Sequence, residues 1–341
     1  MSALRRGVLA LLLAAAPALA GCGSSSTHAT SSAAATTAPA SATSTAPVLP
    51  PAVDELAAAE RPTAGAFPKA AGRTLQQLAN TVHATATMSA ATGVFTPGTR
   101  RYAFGVTTKG GAYVYAPTAL YIGSTPGSKA SGPYLAPAEP MGVAPQFRSK
   151  QNSGPGGIQA IYAAQLPLPR SGTYAVLALT RTPHGITGAT SEVAVALSSP
   201  IPNVGQRPPD IATGTSGPIG LLTTRIPPES MHSVSFNQVL GKRPVALLFS
   251  TPQLCTSRVC GPVTDVAVEL QHEFGNRITF IHQEIYVDNN PKQGLRPQLH
   301  AFHLETEPWM FVINRRGVIV ARFEGAFGTT ELRAALEQAL R

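Results

Sequence analysis

Pro244-Val245-Ala246-Leu247-Leu248-Phe249-Ser250 is an unbroken apolar run, the pattern of a strand buried on both faces. Thr251-Pro252-Gln253-Leu254-Cys255-Thr256-Ser257-Arg258-Val259-Cys260-Gly261-Pro262 comes next. A helix follows, because Val263, Val266, Ala267, Leu270 and Phe274 fall on one face. Pro262 suits its first turn, where the missing N–H would have no partner anyway, and Gly275 can end it. Two cysteines thus stand between a buried strand and a helix N-terminus. The thiolate is the reactive form of cysteine, and an ordinary thiol pKa of ~8.5 leaves it mostly protonated. Unpaired N–H groups at a helix N-terminus stabilise the anion, and Arg258 adds to this if it folds back. On an intact helix, residues five apart have Cα atoms roughly 8 Å apart, beyond the disulfide limit of ~7 Å. Either both cysteines precede the helix or a turn unwinds on oxidation, and Pro262 favours the first.

Beyond the helix, Ile278 to Ile281 reads as a strand and Gln293 to Phe302 as a second helix. Trp309 to Ile313 and Val318 to Phe323 form a hairpin turning at Arg316-Gly317. Thr330 to Leu340 closes the region as a helix, with Leu332, Leu336 and Leu340 in register. The order β-α-β-α-β-β-α, with cysteines between the first strand and first helix, resembles the thioredoxin superfamily over residues 204–341. Val204-Gly205-Gln206-Arg207-Pro208-Pro209-Asp210 is similar to the opening segment of thioredoxin-like and peroxiredoxin-like domains, and Ser235 to Gly241 to the lead-in before the first strand. Glu307-Pro308-Trp309 stands where that family places a cis-proline beside its active site. The resemblance implies Cys255 and Cys260 as the catalytic pair and Pro308 with Trp309 as the wall of a substrate groove.

The spacing departs from the C-x-x-C of thioredoxins, since the two cysteines here are separated by four residues. Cys260-Gly261-Pro262-Val263 is similar to C-G-P-C with valine in place of the second cysteine. Cys255 through Gly261 instead resembles the C-x4-C of bacterioferritin-comigratory-type peroxiredoxins, whose first cysteine is peroxidatic and whose second resolves it. Those enzymes carry threonine or serine three residues before the first cysteine; here Pro252 stands there, with Thr251 adjacent, and their later arginine has no counterpart near Glu307-Pro308. Copper-delivery proteins of this fold add a distant histidine. His232, His272, His282, His300 and His303 are candidates, none with ligand-like spacing to the cysteines, so neither a metal nor another cofactor is expected.

Upstream, residues 1–22 read as a lipoprotein signal peptide. Arg5 and Arg6 precede an apolar stretch too short to span a membrane comfortably, and it ends in Leu19-Ala20-Gly21-Cys22, which resembles a bacterial lipobox. That resemblance implies cleavage before Cys22 and diacylation of its thiol, hence an extracytoplasmic protein held to the cell membrane. Of three cysteines, Cys255 and Cys260 then remain as a pair. Residues 23–50 are a Ser/Thr/Ala/Pro tether that cannot bury enough apolar surface to order itself. Residues 51–90 are poorly defined, with short helices expected over Val53 to Leu56 and Leu75 to Val82.

Residues 91–200 carry short β-branched and aromatic runs: Tyr102 to Thr107, Ala112 to Tyr115, Ala119 to Ile122, Gln159 to Gln165, Thr173 to Leu179 and Glu192 to Leu197. Turn clusters such as Lys109-Gly110-Gly111 and Thr125-Pro126-Gly127 separate them. This spacing predicts an antiparallel sandwich, and Leu166 through Tyr174 resembles a strand opening of immunoglobulin-like domains. The fold class is therefore multidomain: an all-β immunoglobulin-like sandwich followed by an α/β thioredoxin-like domain. His184, beside Gly185, reads as a solvated turn residue.

The net charge of +9 is uneven, for residues 1–220 hold 14 basic and 6 acidic residues while the rest hold 12 and 11. The basic residues are scattered without interleaved aromatics, which argues against nucleic acid as a partner. The leading expectation is a thiol–disulfide oxidoreductase acting on envelope protein thiols or disulfides. A thiol peroxidase, or a binding lipoprotein stapled by a structural disulfide, are the alternatives.

Overall fold

Thr74 caps a short helix through its hydroxyl and Gln77, and from there the chain builds two sheets. In this computed structural model, which describes residues 53–152 and 157–341, the first helices are α1 (Val53–Glu60) and α2 (Leu75–Ala79). The signal peptide with Cys22 and the tether lie outside the described residues. The strands β1 (Ala86–Ala90), β2 (Gly98–Thr108), β3 (Thr118–Gly123), β4 (Ser131–Leu135), β5 (Ala138–Pro140), β6 (Ala160–Leu168), β7 (Gly172–Thr182) and β8 (Gly185–Val195) follow. They form two antiparallel sheets, ordered β1-β2-β6-β5 and β4-β3-β7-β8. Tyr102, Phe104, Tyr162 and Leu166 of one sheet share a core with Leu120, Ile122, Val176 and Val193 of the other, so the sheets face each other as a sandwich. Tyr174 at the start of β7 donates its hydroxyl to the Arg170 carbonyl and accepts from the Arg170 N–H, pinning the β6–β7 corner. His184 lies in the β7–β8 turn, where Gly185 takes φ +115°.

Several strands differ from the sequence reading. Within 51–90, β1 pairs with β2 along its whole length; Ala-Thr-Met-Ser-Ala has a single large apolar residue, Met88, so its alternation is nearly invisible. Ser131-Gly132-Pro133 and Ala138-Glu139-Pro140 hide β4 and β5 behind turn-forming residues. Ala112 to Tyr115, expected as a strand, contributes one bridge from Tyr113 to Thr107. The strand expected from Glu192 begins at Gly185.

The second half holds α3 (Ile219–Leu222), α4 (Phe236–Val239), β9 (Val245–Phe249), α5 (Cys260–Phe274), β10 (Thr279–Gln283), α6 (Pro297–Phe302), β11 (Trp309–Ile313), β12 (Ile319–Glu324) and α7 (Thr329–Ala339). Its sheet runs β10-β9-β11-β12, with β9 parallel to β10 and antiparallel to β11. Every residue of β9 is buried, because side chains of alternate residues enter two different cores. Ala246 and Leu248 meet α5 and α7, while Val245, Leu247 and Phe249 meet α4 and α6. This helix–sheet–helix layering, on a sheet whose parallel pair β9–β10 lies at one edge, follows the thioredoxin-like order expected from the sequence.

The two halves share buried structure. Ala103, Met141, Val143 and Ile161 of the sandwich belong to the same core as Val263, Phe323 and Phe327. Asp265 on α5, wholly buried, accepts from the Ser149 N–H and hydroxyl, the Asn152 amide and Arg225 Nε at 2.9–3.0 Å. The Glu324 carboxylate accepts the Gly93 and Val94 N–H groups, and Arg101 pairs with Glu331 at 2.6 Å. The described residues fall in one compact unit. Among them no helix is long and apolar enough to cross a membrane.

Candidate active site

Two consecutive turns link β9 to α5. The Leu254 N–H bonds the Thr251 carbonyl and the Arg258 N–H bonds the Cys255 carbonyl. Arg258 takes φ +60°, a left-handed conformation that redirects the chain into the helix. Cys260 is the first residue of α5 and is fully buried; Cys255 lies in the turns and is part-exposed. Both are free thiols. The geometry therefore places one cysteine before the helix and the other on its first position.

The two sulfurs have opposite environments. The Cys255 thiol is lowered to about 6, chiefly by the hydrogen bond from Cys260, opposed by burial and helped by Ser257 and by the N–H groups of Cys260 and Val259. Ser257 Oγ lies 3.1 Å from the sulfur. Hydrogen bonds at the helix start thus hold the anion; Arg258, expected to assist, is exposed. Burial pushes the Cys260 thiol well above the ordinary range, and its bond to Cys255 pushes it further.

The Glu307–Pro308 bond is cis, and the Glu307 carboxylate stands beside the cysteines. One of its oxygens and both sulfurs lie within 4.8 Å of one another. Pro308 is buried directly behind it, its carbonyl accepting the Gly325 N–H at 2.9 Å. Trp309 does not line a groove. It is wholly buried, stacked on Phe311 with ring centroids 5.9 Å apart, and its indole N–H donates to Thr306. Trp309 opens β11 on the face that packs against α4 and α6, so its ring turns into that core. A cavity of about 430 Å³ opens beside the cysteine turns. Tyr113, Ile158 and Ile161 of the sandwich form one wall, and Ser257, Thr306 and Glu307 another.

Beneath the site runs a buried chain of hydrogen bonds. Thr264 donates to the Cys260 carbonyl at 2.7 Å and lies 2.9 Å from Ser250 Oγ, which lies 2.8 Å from His282 Nε2. His282 Nε2 also faces the Ser250 carbonyl at 3.0 Å, and Nδ1 faces Glu229 at 2.7 Å. Nδ1 thus faces a carboxylate and Nε2 a carbonyl, an arrangement that stabilises the imidazolium form. Burial pushes the His282 pKa down, but the Glu229 carboxylate outweighs it and the net direction is up. Burial likewise pushes Glu229 up, yet His282 and His232 hold it well below the usual carboxylate range. Glu229, His232 and His282 bring three donor atoms within 4.8 Å. These atoms are already paired with one another, and Thr223 occupies the other Glu229 oxygen. His282 and His232 are thus core residues. His272, by contrast, packs its ring on Phe147, and His300 and His303 lie at the end of α6.

Sequence reasoning singled out the two cysteines and the cis-proline position but missed the roles of Ser257 and Glu307. Glu307 sits in the quoted Glu-Pro-Trp segment, yet nothing local says where its carboxylate points.

No known protein-family profile matches the chain, and no curated protein matches it. Solved structures are similar to part of it, three of them as follows. A putative thiol:disulfide interchange protein DsbE from Chlorobium tepidum aligns over 41% of this chain and 99% of its own, at 14% identity and a TM-score of 0.31. A thioredoxin-like protein in the oxidized form aligns over 33% and 86%, at 14% identity and 0.27. A thioredoxin family thiol:disulfide interchange protein from Chlorobium tepidum TLS aligns over 43% and 100%, at 17% identity and 0.28.

Proposed function

We propose that this chain is a membrane-anchored, extracytoplasmic thiol–disulfide oxidoreductase that exchanges disulfides with envelope proteins through Cys255 and Cys260. The observation that carries this reading is the asymmetry of the pair at the start of α5: Cys255 is part-exposed with Ser257 Oγ 3.1 Å from its sulfur, surroundings that lower its thiol to about 6, while Cys260 is wholly buried and held high. A stabilising staple needs no acidic thiol, whereas an attacking cysteine does. Cys255 attacks a substrate disulfide as its thiolate, forming a mixed disulfide and expelling one substrate thiolate. Cys260 then attacks the Cys255 sulfur and expels the other. The protein pair is oxidised, the substrate gains two electrons, and the two leaving thiolates take up two protons.

The anchoring part of the reading rests on Leu19-Ala20-Gly21-Cys22; Cys22→Ala is expected to abolish diacylation, and lipid on that variant would overturn it. Strand order supports an immunoglobulin-like reading of the sandwich. Lettered along the chain, the sheets read A-B-E-D and C′-C-F-G, and Tyr174 at the start of strand F bonds back to Arg170 as a tyrosine corner does.

The functional test is trapping. Reduced Cys260→Ser is expected to accumulate a mixed disulfide with oxidised glutathione, and Cys255→Ser to form none. A pair with a potential below about −300 mV, ordinary thiol acidity and loss of stability on reduction would be a structural staple instead. Rapid consumption of hydrogen peroxide, lost in Cys255→Ser, would replace exchange with peroxidase chemistry.

A further inference from the structure

The buried Cys260 poses a chemical problem. It must become a thiolate to attack the mixed disulfide, yet burial holds it protonated and no water reaches a fully buried sulfur directly. A base must therefore stand within reach. Glu307 offers a carboxylate oxygen within 4.8 Å of both sulfurs, from a half-buried position at the edge of the cavity.

We propose that Glu307 is the proton carrier of the cysteine pair, taking the proton of the Cys260 thiol and delivering protons to the departing substrate thiolates. The proposal rests on the thiol–disulfide exchange reading. Starting from Cys255 thiolate, Cys260 thiol and a protonated Glu307, attack by Cys255 expels the first substrate thiolate, which takes the Glu307 proton. The Glu307 carboxylate then accepts the Cys260 proton as Cys260 attacks the Cys255 sulfur, breaking its bond to the substrate. The second substrate thiolate takes that proton from Glu307. Two substrate thiols leave, the protein holds a disulfide, and Glu307 ends as a carboxylate.

The other titratable groups around the site are poorer carriers. The Tyr286 phenol feels Glu307 and both sulfurs, but burial first and these neighbours next push it above its ordinary value, so it stays protonated. Glu324, across the cavity, is held by the Gly93 and Val94 N–H groups. His282 is sealed in the core, both of its ring nitrogens already engaged with Glu229 and Ser250. Glu307 is pushed up to about 7 by burial and then by the Cys255 charge. A disulfide removes that charge, so Glu307 becomes more acidic once the pair is oxidised and releases its proton to the product thiols.

The experiment is single-turnover reaction of the reduced protein with oxidised glutathione, whose basic leaving thiol needs a proton, across the neutral pH range. In Glu307→Gln the Cys255–glutathione adduct is expected to persist, its resolution slowed about 100-fold or more, and the rate inflection near pH 7 is expected to vanish. Glu307→Asp restores part of both. Wild-type resolution and an unchanged pH profile in Glu307→Gln would overturn the proposal while leaving exchange standing. Failure of Cys260→Ser to form any adduct would instead sink the exchange reading itself. Should Glu307→Gln not fold, carbon-13 carboxyl titration of the wild-type protein decides. Glu307 must titrate near neutrality in the dithiol and lower in the disulfide, and a redox-independent value overturns the proposal.

Discussion

At the scale of single residues, the site separates charge by burial. Cys255 is open enough to meet a substrate and is ringed by donors, while Cys260 is sealed. Iodoacetamide alkylation of Cys255 is therefore expected to be half-maximal near pH 6, and Ser257→Ala to move that midpoint upward by removing one donor to the anion. An unchanged midpoint would mean that Ser257 contributes nothing to the thiolate. The buried Glu229–His282 pair gives a second expectation, on stability. Glu229 is lowered in the folded protein, so its contribution is present above the unfolded carboxyl value of ~4.3 and is lost as pH falls through its lowered folded value. His282 is raised, so its contribution is complete below the unfolded imidazole value of ~6.5 and is lost as pH rises through its raised folded value. The pair therefore stabilises most between about pH 4.3 and 6.5. Urea midpoints are expected to fall between mildly acidic and alkaline pH in the wild type, and this decline is expected to flatten in Glu229→Gln/His282→Gln. An equal decline in the double variant would show that the pair is not its source.

At the scale of elements, strands and helices whose sequence matched their period were legible, and the contacts between them were not. The β9 run reads as buried because both of its faces are apolar, and α5 reads as a helix because Val263, Val266, Ala267, Leu270 and Phe274 recur on one side. The cysteine pair follows from that order. Asp265 in the same helix lies outside that apolar repeat, yet it is wholly buried, since its partners arrive from Ser149 and Arg225, 116 and 40 residues away in sequence. Trp309 and Glu307 show the same limit inside the site: a motif gave their neighbourhood, but tertiary packing decided which one faces the sulfurs. The Asp265 cluster fastens the 145–152 segment and the 225–227 turn to α5. Arg225 also donates to the Phe147 and Pro227 carbonyls. Arg225→Met strips the cation from a buried carboxylate, a change that typically costs about 3–5 kcal/mol. It is expected to lower the urea midpoint and to speed tryptic cleavage after the exposed Arg148. Unchanged proteolysis there would mean that the segment is held by packing alone.

At the scale of the molecule, the sandwich and the cysteine-bearing half share one core. Ala103, Met141, Val143 and Ile161 of the sandwich complete the core under α5 and α7, and its Tyr113, Ile158 and Ile161 supply one wall of the cavity at the cysteines. The backbones of the two halves pass close together at Gly325, where φ is +70° and a Cβ would fall 1.9 Å from the Ala91 carbonyl oxygen. Gly325→Ala therefore has no low-energy answer: the new methyl must drive β12 away from the sandwich, and the backbone conformation itself disfavours a side chain. Because the shared core and the Asp265, Glu324 and Arg101 contacts tie the halves together, residues 53–341 are expected to unfold as one cooperative unit. Native-state hydrogen exchange tests this, since the slowest amides of β2 and β7 in the sandwich and of β9 and β11 in the cysteine-bearing half should report the same opening free energy. In Gly325→Ala those two values are expected to separate, the cysteine-bearing half opening first because it loses part of its core cover. Distinct opening energies in the wild type, or a fragment 204–341 as stable as the whole chain, would instead make the sandwich an independent domain whose cavity wall is free to move relative to Cys255.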